Sequence, residues 1–171
     1  PRVLLWVAPA VAWAAVATGV AQTFVDVDQY RTELEGRLGR ARGIMRGIMT
    51  RAAANPKRVV FPEGEEPKII RAAQICVDEG IAEPILLGRE EAIRATAREY
   101  GIPLEDIRLV DVATAPRRDA YARYLWERRQ RKGLSLGEAQ QRLNTANYFG
   151  ACMVALGDAD AMLSGVNATY P

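Results

Sequence analysis

An α/β fold, with a parallel sheet flanked by helices and a helical segment ahead of it, is what this 171-residue sequence predicts. Three observations lead there. From Arg58 onward, short apolar runs take turns with helical stretches of about ten residues. The runs are unbroken rather than alternating, as in parallel strands covered on both faces. Strand–helix–strand at this spacing requires right-handed crossovers, which builds a parallel sheet.

The elements follow in chain order. The stretch Val3 to Val20 is apolar, follows Arg2 and ends in small residues, so it imitates an export signal or membrane anchor. Pro9 interrupts it, and alanine supplies much of its apolar character. Pro9 fits the first turn of a helix over Ala10 to Thr18, with Gly19 as its stop. A buried helix of a soluble protein is therefore expected, and a membrane partner is not. After an extended link, Asp28 can cap a long connecting helix within residues 28–56. Tyr30, Leu34, Leu38, Ala41, Met45, Ile48 and Ala52 form its apolar stripe. Gly36, Gly39, Gly43 and Gly47 lie on another face, each costing about 1 kcal/mol in a helix interior. An interruption near Gly36 to Gly43 is the expectation; a close helix–helix approach is the alternative.

Val59 to Phe61 reads as the first strand. Glu63 to Glu66 put negative charge at the start of the next helix, whose first turn holds Pro67. Ile69, Ile70, Ala73, Ile75, Cys76 and Val77 give it a broad buried face, and Gly80 ends it. Pro84 to Leu87 is a strand, Glu90 to Tyr100 a helix and Ile107 to Val110 a third strand. Three helices follow: one from Pro116 to Lys132, one opened by the capping box Ser135-Leu-Gly-Glu138, and one capped by Asn147 and ended by Gly157. Asp160 to Leu163 is the fourth strand, leading into Ser164-Gly165.

Composition sets limits on function. With 49% hydrophobic and 26% charged residues the chain can bury a core, and a net charge of +2 advertises no nucleic-acid partner. Six arginines ride on the long helix, diluted by Glu33 and Glu35 and without aromatic stacking partners, so a solvated face is the reading preferred. Histidine is absent, which removes the commonest metal ligand and general base. Cys76 and Cys152 stand far apart in apolar surroundings, as core residues of a cytoplasmic protein rather than a disulfide or zinc pair. The start at Pro1, without methionine, does not read as a natural N-terminus.

Ligands of open parallel sheets bind beyond the carboxyl ends of the strands. Pro62-Glu-Gly-Glu-Glu66 is acidic and would repel phosphate, and no G-x-G-x-x-G or G-x-x-x-x-G-K follows any strand. Ser164-Gly-Val-Asn-Ala-Thr169 offers hydroxyls, an amide and a permissive glycine suited to phosphate or carboxylate oxygens. A plain polar loop is the competing reading. Arg128, Arg129, Arg131 and Lys132 crowd one helix end, where cations offset the helix dipole. A two-point guanidinium grip on phosphate is the alternative.

Two blocks carry a resemblance. Lys57-Arg-Val-Val-Phe-Pro-Glu-Gly-Glu-Glu66, Arg71-Ala-Ala-Gln-Ile75, Glu79-Gly-Ile-Ala82 and Pro84-Ile-Leu-Leu-Gly88 resemble the opening of phosphate acetyl/butyryl transferases. Arg131-Lys-Gly133, Asn147-Tyr-Phe-Gly150, Leu156-Gly-Asp-Ala-Asp160 and Ser164-Gly165 are similar to the same family in order and spacing. Ahead of them, Val7-Ala-Pro-Ala-Val-Ala12, Gly19-Val-Ala21 and Asp26-Val-Asp-Gln-Tyr-Arg31 look like the junction of bacterial hybrid malic enzymes, although Trp13 stands where a charged residue is expected.

The resemblance implies a three-layer, phosphotransacetylase-like fold. It divides the chain into residues 1–27, the end of an NAD(P)-binding domain and linker; 28–56, the connecting helix; and 57–171, an incomplete transferase-like domain. It implies a parent that decarboxylates malate to pyruvate with NADP or NAD and Mg or Mn, held upstream of Pro1. The transferase-like part would sense acetyl-CoA or a related small-molecule effector and build a homo-oligomer. Arg129 matches an arginine that touches phosphate in the active transferases, and Ser164 and Gly165 match the start of their ligand loop. Asn167 and Thr169 would complete the ligand set. Ala168 and Tyr170 depart from a loop that usually carries a histidine and small hydroxyl residues, which disfavours acetyl transfer. A working phosphate acetyltransferase is the second reading, and an exported protein the third.

Overall fold

The computed structural model describes residues 2–23 and 25–166. The chain divides into two compact units, residues 1–50 and 51–171. The first holds α1, Arg2–Ala17, and most of α2, Val27–Ala54, whose last turn belongs to the second. Both differ from expectation. Helix α1 begins eight residues early and carries Pro9 inside it rather than in its first turn. Pro9 is the one buried residue among the α1 positions whose exposure is described, and Trp13 is 64% exposed, so the expected burial is not found. No helix among the described residues is long and apolar enough to cross a membrane.

Helix α2 is opened by Asp26 rather than Asp28. The Asp26 carboxylate accepts from the backbone N–H groups of Asp28 (3.0 Å) and Gln29 (3.1 Å), satisfying donors that have no partner within the helix. The helix then runs unbroken through its glycines, where an interruption was expected. Glycine lowers helix propensity without forbidding the conformation, and long flanks can carry it. Leu34 of the expected stripe is buried, whereas Met45 and Ile48 are exposed.

The second unit is the predicted α/β fold. Strand β1 is Lys57–Phe61, α3 Pro67–Asp78, β2 Ala82–Leu87, α4 Glu90–Glu99, β3 Arg108–Val110, α5 Arg118–Arg129, α6 Leu136–Arg142, α7 Ala146–Ala155 and β4 Ala161–Met162; a short 3-10 turn, Gln130–Lys132, follows α5. The four strands are ordered β3-β2-β1-β4 and every pairing is parallel. The chain therefore steps outward from β1 to β3 and then returns past β1 to lay β4 on its other side. With right-handed crossovers, that reversal puts α3 and α4 on one face and α5 to α7 on the other.

Side-chain alternation along the strands matches this division. Val60, Ile85 and Leu87 face a cluster with Tyr121, Leu125, Leu143, Phe149 and Met153. Phe61 and Leu86 face the opposite cluster with Ile69, Ile70, Ala73, Ile93 and Ala97. Neighbours in sequence thus enter different cores, which is why the strands read as unbroken apolar runs. Ile75, expected to be buried on α3, is 49% exposed; it follows Ala73 by two positions, on the opposite side of the helix. The Ser135 capping box forms in full. Thr145, not Asn147, occupies the cap position of α7. Cys76 and Cys152 are both free thiols, and burial pushes both above the usual thiol range.

Strand β4 has only two residues and is pinned at its start. Arg58 donates from its backbone N–H (2.9 Å), Nε (3.1 Å) and a terminal nitrogen (2.8 Å) to Asp160, whose own N–H donates to the Arg58 carbonyl (2.8 Å). The Arg58 guanidinium holds the Asp160 carboxyl down at about 2. A depressed carboxyl stabilises the fold above its unfolded value, near 3.9, and that contribution is lost as pH falls through the folded value. Thermal melts of Asp160→Asn should therefore lose less stability between pH 4 and pH 2 than those of the parent. Parallel acid limbs in the two proteins would refute the role given to this pair.

Candidate ligand site at the carboxyl ends of the strands

The reversal of strand order between β1 and β4 is a topological switch point. In open α/β sheets the crevice beyond the strand ends at such a point takes ligands. The loops that follow β1 and β4 meet at this point. Leu163 N–H donates to the Val60 carbonyl (3.0 Å), carrying the pairing one residue past β4. Beyond it, Gly165 N–H donates to Glu63 Oε2 at 3.1 Å. The Ser164 hydroxyl lies 3.1 Å from Asn147 Oδ1 and 3.5 Å from Glu63 Oε2, and can donate to either. Because Thr145 takes the cap position, the Asn147 side chain is available to the loop.

Glu63 is placed by its neighbour. Gly64 N–H donates to the Leu87 carbonyl (3.0 Å), drawing the loop after β1 onto the end of β2. A Cβ at Gly64 would stand 2.6 Å from that carbonyl oxygen and 2.8 Å from Leu86 Cβ, so only glycine permits the approach.

Next to this corner, beyond β1, β2 and β3, opens a cavity of about 550 Å³. Pro62, Glu63, Glu65 and Glu66 line one side, Arg89 the end of β2 and Asp111 the end of β3; Asn144, before α7, and Ala146, its first residue, close it. Its volume suits a small metabolite or part of a larger one. Its charge is predominantly negative. The guanidinium of Arg89 makes a two-point contact with Glu65 (3.0 and 3.0 Å), and the Arg89 N–H adds a third bond at 2.9 Å. Arg89 accordingly holds the Glu65 carboxyl below the usual range.

The wall shared by β3 and α7 is tied by Arg118. Its guanidinium donates to the carbonyls of Val112 (2.7 Å) and Gln140 (3.0 Å) and to Asn144 Oδ1. On the far side of the sheet's helical layer, Tyr121 donates to Asp158 Oδ2 at 2.6 Å and Arg117 pairs with the same carboxylate. Burial and the Asp158 bond push the Tyr121 hydroxyl well above its ordinary value, so it stays protonated.

Of the residues expected at the site, the structure brings Ser164 and Gly165 together at the switch point. Arg129 is exposed on the last turn of α5, outside the lining of the cavity. Asn167 and Thr169 lie outside the described residues. Sequence reasoning missed Glu63 and Asn147 as partners of the Ser164 loop and Arg118 as the tie across the wall. The acidic Pro62–Glu66 run was visible, but nothing in its spacing says that Glu63 reaches a loop one hundred residues later. Among the described residues no three of Asp, Glu or Cys form a metal-ligating group, and no glycine-rich dinucleotide loop follows a strand.

A parallel sheet in this strand order, with helices on both faces, is a doubly wound α/β transferase-family fold of the kind that takes ligands beyond its strand ends. Residues 43–171 match the phosphate acetyl/butaryl transferase family, and the chain belongs to that family. A phosphotransacetylase from Streptococcus pyogenes has the same fold, with a TM-score of 0.71 and 30% identity over 75% of this chain and 39% of that one. Over 174 residues the sequence is 39% identical to the NADP-dependent malic enzyme of Rhizobium meliloti, covering 99% of this chain and 23% of that protein. It is 37% identical over 122 residues to the phosphate acetyltransferase of Thermoanaerobacterium thermosaccharolyticum, covering 71% of this chain and 37% of that protein. The chain thus spans about a quarter of the malic enzyme's length.

Proposed function

We propose that this chain is the transferase-like segment of a cytoplasmic NADP-dependent malic enzyme, in which it senses acetyl-CoA or a related metabolite and builds the oligomer rather than transferring acetyl groups. The parent would oxidise and decarboxylate malate to pyruvate with NADP and Mg or Mn. Likeness to malic enzymes extends over 99% of the chain, α1 and α2 included, whereas likeness to a phosphate acetyltransferase extends over 71%.

The observation that carries the sensing role is the contact between Gly165 N–H and Glu63. Stabilising a reacting phosphate requires donors preorganised toward developing negative charge. Here a carboxylate already takes one such donor and stands 3.5 Å from the Ser164 hydroxyl. A loop so arranged suits binding better than turnover.

Malate oxidation by the full-length protein, measured with and without acetyl-CoA, tests the reading. The rate should change with acetyl-CoA, and Ser164→Ala should weaken the response by up to about tenfold in effector concentration, the value of a lost hydrogen bond. Loss of the response while basal malate oxidation persists is the expected pattern. A parent that ignores acetyl-CoA would overturn the sensing role, and one that forms acetyl phosphate rapidly from acetyl-CoA and phosphate would replace it with an active transferase.

A further inference from the structure

We infer that Glu63 is the specificity-determining residue of the switch-point corner: its carboxylate sits on the donors of the Ser164–Gly165 loop as an internal oxyanion, so that a free oxyanion enters only by displacing it. The inference rests on the proposed sensing role of this crevice and names the residue that sets its threshold.

Geometry carries the argument. A carboxylate oxygen and a phosphate oxygen ask for the same partners: backbone N–H groups and hydroxyls at the mouth of a loop. Glu63 Oε2 holds that position, 3.1 Å from Gly165 N and 3.5 Å from Ser164 Oγ. The placement is fixed at both ends of the contact. On one side, the Gly64 N–H bond to Leu87 anchors the chain next to Glu63, and the space there admits no Cβ. On the other, the Leu163 bond to Val60 anchors the chain next to Ser164. Both anchors are backbone bonds at the ends of adjacent parallel strands, so the carboxylate meets the loop as a consequence of the fold.

The ligand class follows. An oxyanion brought to the loop meets a like charge within hydrogen-bond distance, which is a large repulsion even at the screened dielectric of a protein surface. Removing the charge while keeping the side-chain shape should release the donors. Inorganic phosphate is the simplest probe, and calorimetric titration of the full-length protein reads its affinity directly.

Glu63→Gln should bind phosphate at least ~10-fold more tightly than the parent, a conservative reading of that repulsion. Adding Ser164→Ala to Glu63→Gln should abolish most of the gain. Glu63→Asp, which keeps the charge but withdraws it by one methylene, provides a second variant should the glutamine form lose its cooperative melt; it too should gain affinity. Equal phosphate affinity in the parent and in the folded Glu63 variants would overturn the inference, as would a gain that survives Ser164→Ala. These outcomes are separable from the proposed function. A protein deaf to acetyl-CoA can still gain phosphate affinity, and one that responds to acetyl-CoA can fail to gain it.

Discussion

Phe149→Ala is expected to destabilise the α/β unit by ~3–5 kcal/mol, the usual cost of emptying an aromatic site in a close-packed core. Phe149 is 1% exposed and belongs to the core cluster between the sheet and α5 to α7. Its ring meets Tyr121 edge to face, with centroids 4.9 Å apart and planes at 83°, a geometry with an added attraction beyond burial. The neighbours cannot close the space. Even a Cβ at Gly150 would stand only 3.0 Å from Met162 Sδ and 3.5 Å from Leu87 Cδ1, so α7 has little room to move inward. Urea unfolding should show a lower midpoint with an unchanged slope, and Phe149→Leu should lose much less. A loss below ~1 kcal/mol for the alanine variant would show that this layer is not the close-packed core described.

The second large effect is expected at Gly64. Gly64→Ala places a methyl against the Leu87 carbonyl, the Leu87 nitrogen and Leu86 Cβ, all within 2.9 Å. None of these is the movable end of a long side chain, so the loop after β1 must retreat from β2. Overpacking of this kind costs ~1–3 kcal/mol or more, and the retreat also breaks the Gly64 bond to Leu87. Gly80 makes the useful comparison. It has φ +62° and open space around its would-be Cβ, so Gly80→Ala should pay only the left-handed backbone cost of ~1–2 kcal/mol and leave the crevice untouched. Calorimetric phosphate titration separates the two: Gly64→Ala should alter binding at the crevice, because it carries Glu63 away from Gly165, and Gly80→Ala should not. Equal behaviour of the two variants would remove Gly64 from the site.

The Arg89–Glu65 pair bears on how the cavity reads electrostatically. Both side chains are substantially exposed, so the pair contributes little to stability after solvent screening. Its consequence is local: the guanidinium at the end of β2 is engaged, and an incoming anion would have to compete with Glu65 for it. The cavity and the neighbouring corner share this design, each with its cationic or donor group already facing a carboxylate.

Much of the α/β unit was legible because parallel strands covered on both faces leave a direct trace: Val59 to Phe61 and Pro84 to Leu87 are unbroken apolar runs, and Gly80 and Gly157 stop their helices with positive φ. The capping box at Ser135 is likewise local chemistry. Where expectation failed, a local rule met a stronger constraint or a near-equal alternative. Asp26 outcompeted Asp28 as a cap two residues away, Thr145 took the position expected for Asn147, and α2 ran through glycines that propensity alone would have interrupted.

The residues by themselves determined the class of fold and the order of its elements. These follow from periodicity, turn chemistry and side-chain inventory, all properties of neighbours along the chain. Only the tertiary structure decided that β4 returns to the far side of β1, and with that return that Glu63 faces Ser164 and Gly165. Such a meeting depends on strand order, which no local pattern encodes, because crossover connections of similar length can lay the next strand on either side of the first.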